Sequence, residues 1–368
     1  MTGGSGRPPR AEVPGPSPRD GDQDGPEVLT FGETMVALRG SGPLKLGGTM
    51  QVSVAGAESN VAIGLARLGH AVRWSGAVGE DEAGQLVLRT LRAEGVDVSG
   101  ASTDPDAPTG LILFEPRLPE VTRVHYYRAG SAGSRLTEGA VERAFSAAPP
   151  RVLHLTGITP ALSATARSAA LLALRSAQRS GTLVCLDVNY RARLWTADEA
   201  SRVLRTWIPY VDVLIASDDE LPLCLPPATD AAGTEAGGTS ARTGTGTGTG
   251  PLTDPATDPV AAQARQLLDL GVDEVVVKLG ADGARAFTPD GSLDRPAKSV
   301  RAVDSVGAGD AFVAGYLSAL LDGEAPTGRL ERAVTTGAFA VASPGDWEGA
   351  PTRAELSMLG APPGTVVR

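Results

Sequence analysis

Asp304-Ser305-Val306-Gly307-Ala308-Gly309-Asp310-Ala311-Phe312-Val313-Ala314-Gly315-Tyr316 is a glycine-punctuated turn that runs straight into an apolar helix. Gly307 and Gly309 let the backbone turn without Cβ clashes, so successive N–H groups can face an anion while the helix adds the positive end of its dipole. Such a loop can hold negative charge. Asp310, at the helix entrance, is the one group beside that charge able to take a proton from an attacking hydroxyl, so the stretch is a candidate phosphoryl-transfer site. The competing reading is a plain helix cap, because Asp is a favoured N-cap and glycine is common in turns.

Upstream of this turn, short apolar runs suited to strands buried on both faces occur at Val28 to Phe31, Val152 to Thr156, Leu183 to Val188, Val211 to Ala216 and Glu274 to Leu279. Helical stretches at Ser163 to Arg179, Ala197 to Trp207 and Val260 to Leu270 fill the gaps at crossover length, which predicts a parallel sheet covered by helices over about 150 to 345. Ala57 to Leu68 reads as a further helix ended by Gly69. Met50 to Ala55, and Gly110 to Phe114 with Val121 to Arg128 around a turn at Pro116 and Pro119, alternate with period two and predict antiparallel ribbons. A small sheet inserted there is placed to act as a lid that keeps water from a reacting group.

Residues 1 to 26 are rich in Gly, Pro, Ser and charge without a hydrophobic period and are expected to be a disordered tail. A second biased stretch, about 226 to 258, contains the Thr-Gly repeat from Thr243 to Gly250 and is expected to be a disordered surface insertion. The folded unit is therefore expected over 27 to 360, with lid strands within about 34 to 55 and 108 to 130.

A chain of 368 residues with 42% hydrophobic content is long and apolar enough to bury a full core. No run of 18 apolar residues and no secretion-signal layout occur, so neither a membrane span nor membrane partnership is expected, and the location expected is cytoplasmic. The net charge of −10 argues against general affinity for nucleic acid. Anions must then be met by local groups. Cys185 and Cys224 are too few for a disulfide framework, and His70, His125 and His154 lack ligand spacing. No Gly-x-x-x-x-Gly-Lys-Ser/Thr occurs, nor a Gly-x-Gly-x-x-Gly after the first strand, which removes the P-loop and the main argument for a dinucleotide fold.

With Ala55-Gly56-Ala57-Glu58-Ser59-Asn60 ahead of the first helix and Asp304 to Gly315 near the other end, the chain resembles the ribokinase (phosphofructokinase B, PfkB) family of carbohydrate kinases from about Val28 to Pro351. The resemblance implies a ribokinase-like three-layer α/β/α sandwich with a mostly parallel sheet and a small β-sheet lid. It implies Asp310 as catalytic base, Gly307, Ala308 and Gly309 as the anion hole, and Gly56 and Asn60 at the sugar site by the lid hinge. ATP would lie along Lys278-Leu279-Gly280-Ala281-Asp282-Gly283, with Asn189, Lys278, Gly280, Gly283, Gly307 and Gly309 as nucleotide-side residues. Glu220, from Ser217-Asp218-Asp219-Glu220, would organise Mg²⁺ through water, and a monovalent cation is compatible with the pattern. Two positions depart from the family: Ala55 replaces a usual Gly, and Ser217 a usual Asn, which offers more hydrogen-bonding groups.

Within the family, Ala57-Glu58-Ser59-Asn60, Tyr126-Tyr127-Arg128 with Ser131-Ala132-Gly133-Ser134, Thr156-Gly157-Ile158-Thr159-Pro160, and Gly345-Asp346 ahead of Gly349 are most similar to 2-keto-3-deoxygluconate (2-dehydro-3-deoxygluconate) kinases. A sugar acid carries a carboxylate, and in an acidic protein its site needs placed guanidinium groups, which grip a carboxylate through parallel hydrogen bonds. Arg128 and Arg191 are the candidates, Tyr127 would add a hydroxyl, and Asp346 would bind sugar hydroxyls from the far side. A fructokinase or other neutral-sugar kinase with Arg191 turned to nucleotide phosphates is the alternative, and an inactive sugar-binding regulator on the same fold is the alternative of another class. An exposed lid also offers a surface for homo-oligomer formation.

Overall fold

The computed structural model describes residues 25–118, 121–146, 148–227 and 258–361, together with 365. Most of the expected tail and of the 226 to 258 insertion therefore lies outside the described residues. The chain enters through strand β1 (Val28–Phe31), leaves the main sheet for β2 (Met35–Gly40) and β3 (Met50–Ala55), and forms helix α1 (Ala57–Arg67). Then come β4 (Val72–Ser75), β5 (Ala77–Gly79), α2 (Glu82–Ala93), β6 (Ser102–Asp104), β7 (Leu111–Leu118), β8 (Val121–Tyr127) and α3 (Glu138–Ser146). The second half runs β9 (Val152–Thr156), α4 (Thr159–Leu162), α5 (Ala164–Ser180), β10 (Leu183–Asp187), α6 (Ala197–Trp207), β11 (Val213–Ser217), α7 (Pro259–Asp269), β12 (Glu274–Lys278), β13 (Ala284–Thr288), β14 (Gly291–Arg295), α8 (Ala308–Leu321) and α9 (Pro326–Val341).

Eight strands make the main sheet in the order β14-β13-β12-β11-β10-β9-β1-β4, parallel from β4 to β12 and antiparallel at β13 and β14. Its strands are apolar on both faces because both are covered. Leu153, Leu155, Leu186, Leu214 and Val275 face one core with residues of α5, α6 and α7, while Val152, Cys185, Val213, Ile215 and Val276 face the other with residues of α1, α2, α8 and α9. This is the expected α/β/α sandwich. Helix α8 is buried at every residue from Asp310 to Leu321, as a sequence apolar all round apart from Asp310 and Ser318 requires. It meets α1 closely: a Cβ on Gly64 would stand 2.7 Å from Ala314 Cβ.

The lid is a four-stranded sheet, β3-β2-β7-β8. The expected ribbons are antiparallel, β2 with β3 and β7 with β8, and they join into one sheet through β2 and β7, which run parallel. Pro116 does not form the turn; β7 continues to Leu118, with an irregularity between Pro116 and Leu118. Pairing with β2 extends only to Phe114, so beyond it β7 has a partner on one side alone and a residue without an N–H is tolerated there. Among the described residues no helix is long and apolar enough to cross a membrane.

Candidate active site

The glycine turn reaches α8 with Gly307 at φ 73°, and an added Cβ would fall 1.7 Å from the Asp346 carbonyl oxygen. Only glycine accommodates that backbone region and that approach. Gly307, not Asp310, is the N-cap, and no side chain caps the helix. Asp310 instead accepts a hydrogen bond at 2.8 Å from Asn60 Nδ2 on α1, which excludes the plain-cap reading. Burial pushes the Asp310 carboxyl up to about 7, Asp187 adds to the rise, and Asn60, Arg191 and Lys278 oppose it. Asn60 Oδ1 is buried without a partner among the described residues.

The carboxyl ends of β10, β11 and β12 bring the neighbouring charges together, as open α/β sheets do. Lys278 Nζ, at the end of β12, donates to Asp187 Oδ1 at 2.7 Å, and a Cβ on Gly309 would lie 3.8 Å from the same ammonium. Burial works against that ammonium, but Asp187 and Glu220 raise its pKa, so it stays charged beside the loop. Asn189, at φ 41° one of the rare non-glycine residues in the left-handed region, donates to Asp187 Oδ2 at 3.0 Å. Asp187 thus organises two of the residues expected on the nucleotide side, although sequence reading had not singled it out. Gly280 is exposed, whereas Gly283 backs onto the Arg295 carbonyl at the end of β14.

Glu220 spends both oxygens on the backbone, accepting from Tyr190 N at 2.7 Å and Ser217 N at 2.8 Å. Among the described residues no group of three His, Cys, Asp or Glu could hold a metal. A single carboxylate with lone pairs to spare fits a Mg²⁺ carried mainly by phosphates and water, and does not form a protein cage.

On the lid, alternation and register put Met35, Ala37, Ile112, Phe114, Val124 and Tyr126 on one face, and Val306 of the glycine turn packs against its apolar cluster. Tyr126 therefore shares the site-facing side; Tyr127 points the other way and is 61% exposed. Arg128 lies over the Tyr126 ring, 5.6 Å from its centroid, and its Nε donates to Glu33 Oε2 at 2.7 Å. Glu33 is buried and also accepts from Ser131 Oγ. Arg191 is exposed, and among the described residues no acid pairs with it, although its charge acts on Asp310. Gly56 is the N-cap of α1, its Cα facing the Glu33 carbonyl. Asp346 is 7% exposed, and burial raises its carboxyl to about 6 against the pull of Arg39. Glu33, Asp187 and Arg39 are the residues the sequence reading missed.

A mostly parallel sandwich with a four-stranded lid and a buried carboxylate inside a glycine-led helix entrance defines the ribokinase-like class. A family model described as pfkB family carbohydrate kinase matches residues 26–353, and the chain belongs to that family. It is a carbohydrate kinase. It is 33% identical to the 2-dehydro-3-deoxygluconokinase of Bacillus subtilis (strain 168), over 90% of this chain and 94% of that protein. It is likewise 33% identical to the 2-dehydro-3-deoxygalactonokinase of Haloferax volcanii, over 88% and 95%. The crystal structure of the 2-dehydro-3-deoxygluconokinase of Thermotoga maritima superposes with a TM-score of 0.75 at 25% identity, covering 90% of this chain and 98% of that one.

Proposed function

We propose that the protein transfers the γ-phosphoryl group of ATP to the primary hydroxyl of a sugar acid, with 2-keto-3-deoxygluconate giving its 6-phosphate as the leading case. The observation that carries the sugar-acid reading is Arg191. Of the arginines at the site, Arg39 and Arg128 are already bound to acids, whereas Arg191 has no acid partner among the described residues and acts on Asp310. It is the guanidinium available to a substrate carboxylate. The names of the two relatives, which differ by epimer, agree with this class.

In the proposed step, the Asp310 carboxylate accepts the hydroxyl proton as the hydroxyl oxygen bonds to the γ-phosphorus and the bond to the ADP oxygen breaks. The Gly307 and Gly309 amides and the Lys278 ammonium face the charge that develops on the transferred group, whereas the Ala308 amide donates to the Ser305 carbonyl at 3.3 Å. Mg²⁺, when bound, neutralises phosphate charge, and Glu220 would order its water. Tyr126 and Arg128 line the lid side of the sugar site, and Asp346 accepts from sugar hydroxyls.

ADP release measured across sugar acids, hexoses and nucleosides tests this. Arg191→Ala should raise KM for the sugar acid about tenfold or more, as loss of a charge-assisted pair requires, and leave KM for ATP near the wild-type value. A variant that instead weakens ATP alone, or a wild type that prefers neutral hexoses, overturns the sugar-acid assignment. Asp310→Asn that keeps most of its turnover overturns the base, since loss of a positioned base should lower kcat about 10²-fold or more.

A further inference from the structure

Strand β2 breaks its own pattern at Arg39. Alternation puts Arg39 on the face of Met35 and Ala37, which belong to the lid's small apolar cluster, so a charge is aimed toward the site from an apolar surface. The guanidinium lies over Phe114, its register neighbour on β7, 4.1 Å from the ring centroid. It also spans two carboxylates: Nη1 donates to Asp304 Oδ2 at 3.1 Å and Nη2 to Asp346 Oδ2 at 2.7 Å.

Both acids belong to the phosphoryl-transfer end of the molecule. Asp304 shapes the glycine turn, with Oδ1 accepting from Val306 N at 3.1 Å and Oδ2 lying 3.4 Å from Gly345 N. The Asp346 carbonyl is the atom against which Gly307 is packed. One cation therefore joins the lid, the anion loop and the segment behind it. Its surroundings are those of a part-buried bridge rather than a surface pair, with side-chain exposures of 20% for Arg39, 22% for Asp304 and 7% for Asp346. Neighbouring lid tethers, Ser53 Oγ to Glu348 Oε1 at 2.6 Å and Trp347 Nε1 to the Val54 carbonyl at 3.1 Å, converge on the same segment.

We propose that Arg39 is a positioning residue for phosphoryl transfer: it latches the lid onto the glycine loop and fixes the Asp346 carboxylate through Oδ2, leaving Oδ1 for a substrate hydroxyl. This rests on the sugar-acid reading above. The latch holds the roof that excludes water, so its loss should let water compete with the sugar for the phosphoryl group.

Full-length wild type, Arg39→Gln and Arg39→Lys are compared by ADP release with and without sugar acid, and by hydrogen exchange without substrate. Arg39→Gln should raise KM for the sugar acid about tenfold, the scale of one lost charge-assisted hydrogen bond, and lower kcat less. It should also raise sugar-independent ADP release, relative to sugar-dependent release, by about tenfold, the same loss seen from the water side. Amides 36 to 40 and 306 to 309 should exchange faster. Arg39→Lys, a point charge that can serve one carboxylate at a time, should recover part of each effect. A purely structural role would lower melting temperature and leave the ratio of the two ADP-release rates unchanged, and that result overturns the proposal, as does wild-type exchange in Arg39→Gln. Should the wild type phosphorylate no sugar acid, the sugar-acid reading fails by itself, and the exchange comparison still upholds or overturns the latch.

Discussion

Replacing Asn60 with Leu removes the hydrogen bond that draws Asp310 toward its ionised form while keeping a side chain of similar volume. Asp310 stands at about 7 because burial raises it, with Asn60, Arg191 and Lys278 holding it down. The Asn60 amide donates at 2.8 Å inside the protein. A hydrogen bond to a charged group is worth roughly 1.5–3 kcal/mol, and one pKa unit corresponds to about 1.4 kcal/mol, so its loss should move the carboxyl upward by roughly one to two units. A general base works only when ionised. Wild-type kcat/KM should therefore rise with pH through about 7, and the rising limb of Asn60→Leu should lie one to two units higher. At pH 7 the ionised fraction in the variant falls to roughly a fifth to a fiftieth of the wild-type fraction, and the deficit should shrink by pH 9.5. Initial rates of ADP release at low sugar concentration between pH 5.5 and 9.5 supply the profile. Asn60 also borders the proposed sugar site, so the plateau height is free to change and the position of the limb is the diagnostic. A limb that stays in place in Asn60→Leu, or one that persists in Asp310→Asn, refutes the assignment of Asp310 as the titrating base.

Two further outcomes are expected. Gly307→Ala puts a Cβ at φ 73° and 1.7 Å from the Asp346 carbonyl; it should lower stability by at least about 1–2 kcal/mol from backbone strain alone and reduce kcat, measured by urea unfolding and ADP release, and wild-type values for both would show the loop to be more compliant than its geometry. For Asp310 the folded pKa of about 7 lies above the reference value of 3.8, so its favourable contribution is complete below about 4 and is lost as pH rises through 7. Asp310→Asn should therefore match the wild type near pH 4 and be the more stable of the two at pH 8, by up to roughly 4 kcal/mol; thermal unfolding at the two pH values showing no such divergence would contradict the raised pKa.

Much of the sandwich could be read from the chain because its elements announce themselves locally. Ala197 to Trp207 and Met50 to Ala55 have the bounds expected from their periodicity, and the buried runs beginning at Val28, Val152, Leu183 and Glu274 begin where the strands do. What was not legible depends on partners distant in sequence. Whether β2 meets β7 parallel or antiparallel is decided by where the chain crosses the lid, and hydrophobic alternation is the same either way. The proline at 116 looked like a turn because its tolerance derives from the missing neighbour beyond Phe114, which only pairing reveals.

The site divides along the same line. A glycine turn with Asp three residues inside a helix reads identically whether the carboxylate caps its own amides or serves chemistry, and what separates the two is the donor that carboxylate finds. That donor, Asn60, lies 250 residues upstream. Arg128 and Lys278 were legible as cations, but their acids Glu33 and Asp187 stand 95 and 91 positions away, so neither neutralisation could be seen locally. Arg39 is different in kind. Its two acids are 265 and 307 residues distant, yet the sequence does carry a signal: an arginine that follows Met35 to Leu38, a strand run apolar on both faces, needs a counter-charge inside the structure. A charge closing an apolar strand run thus locates a tertiary bridge that motif spacing misses. Here it points to the joint where the lid meets the loop, the place at which water must be excluded for a sugar hydroxyl to be the acceptor.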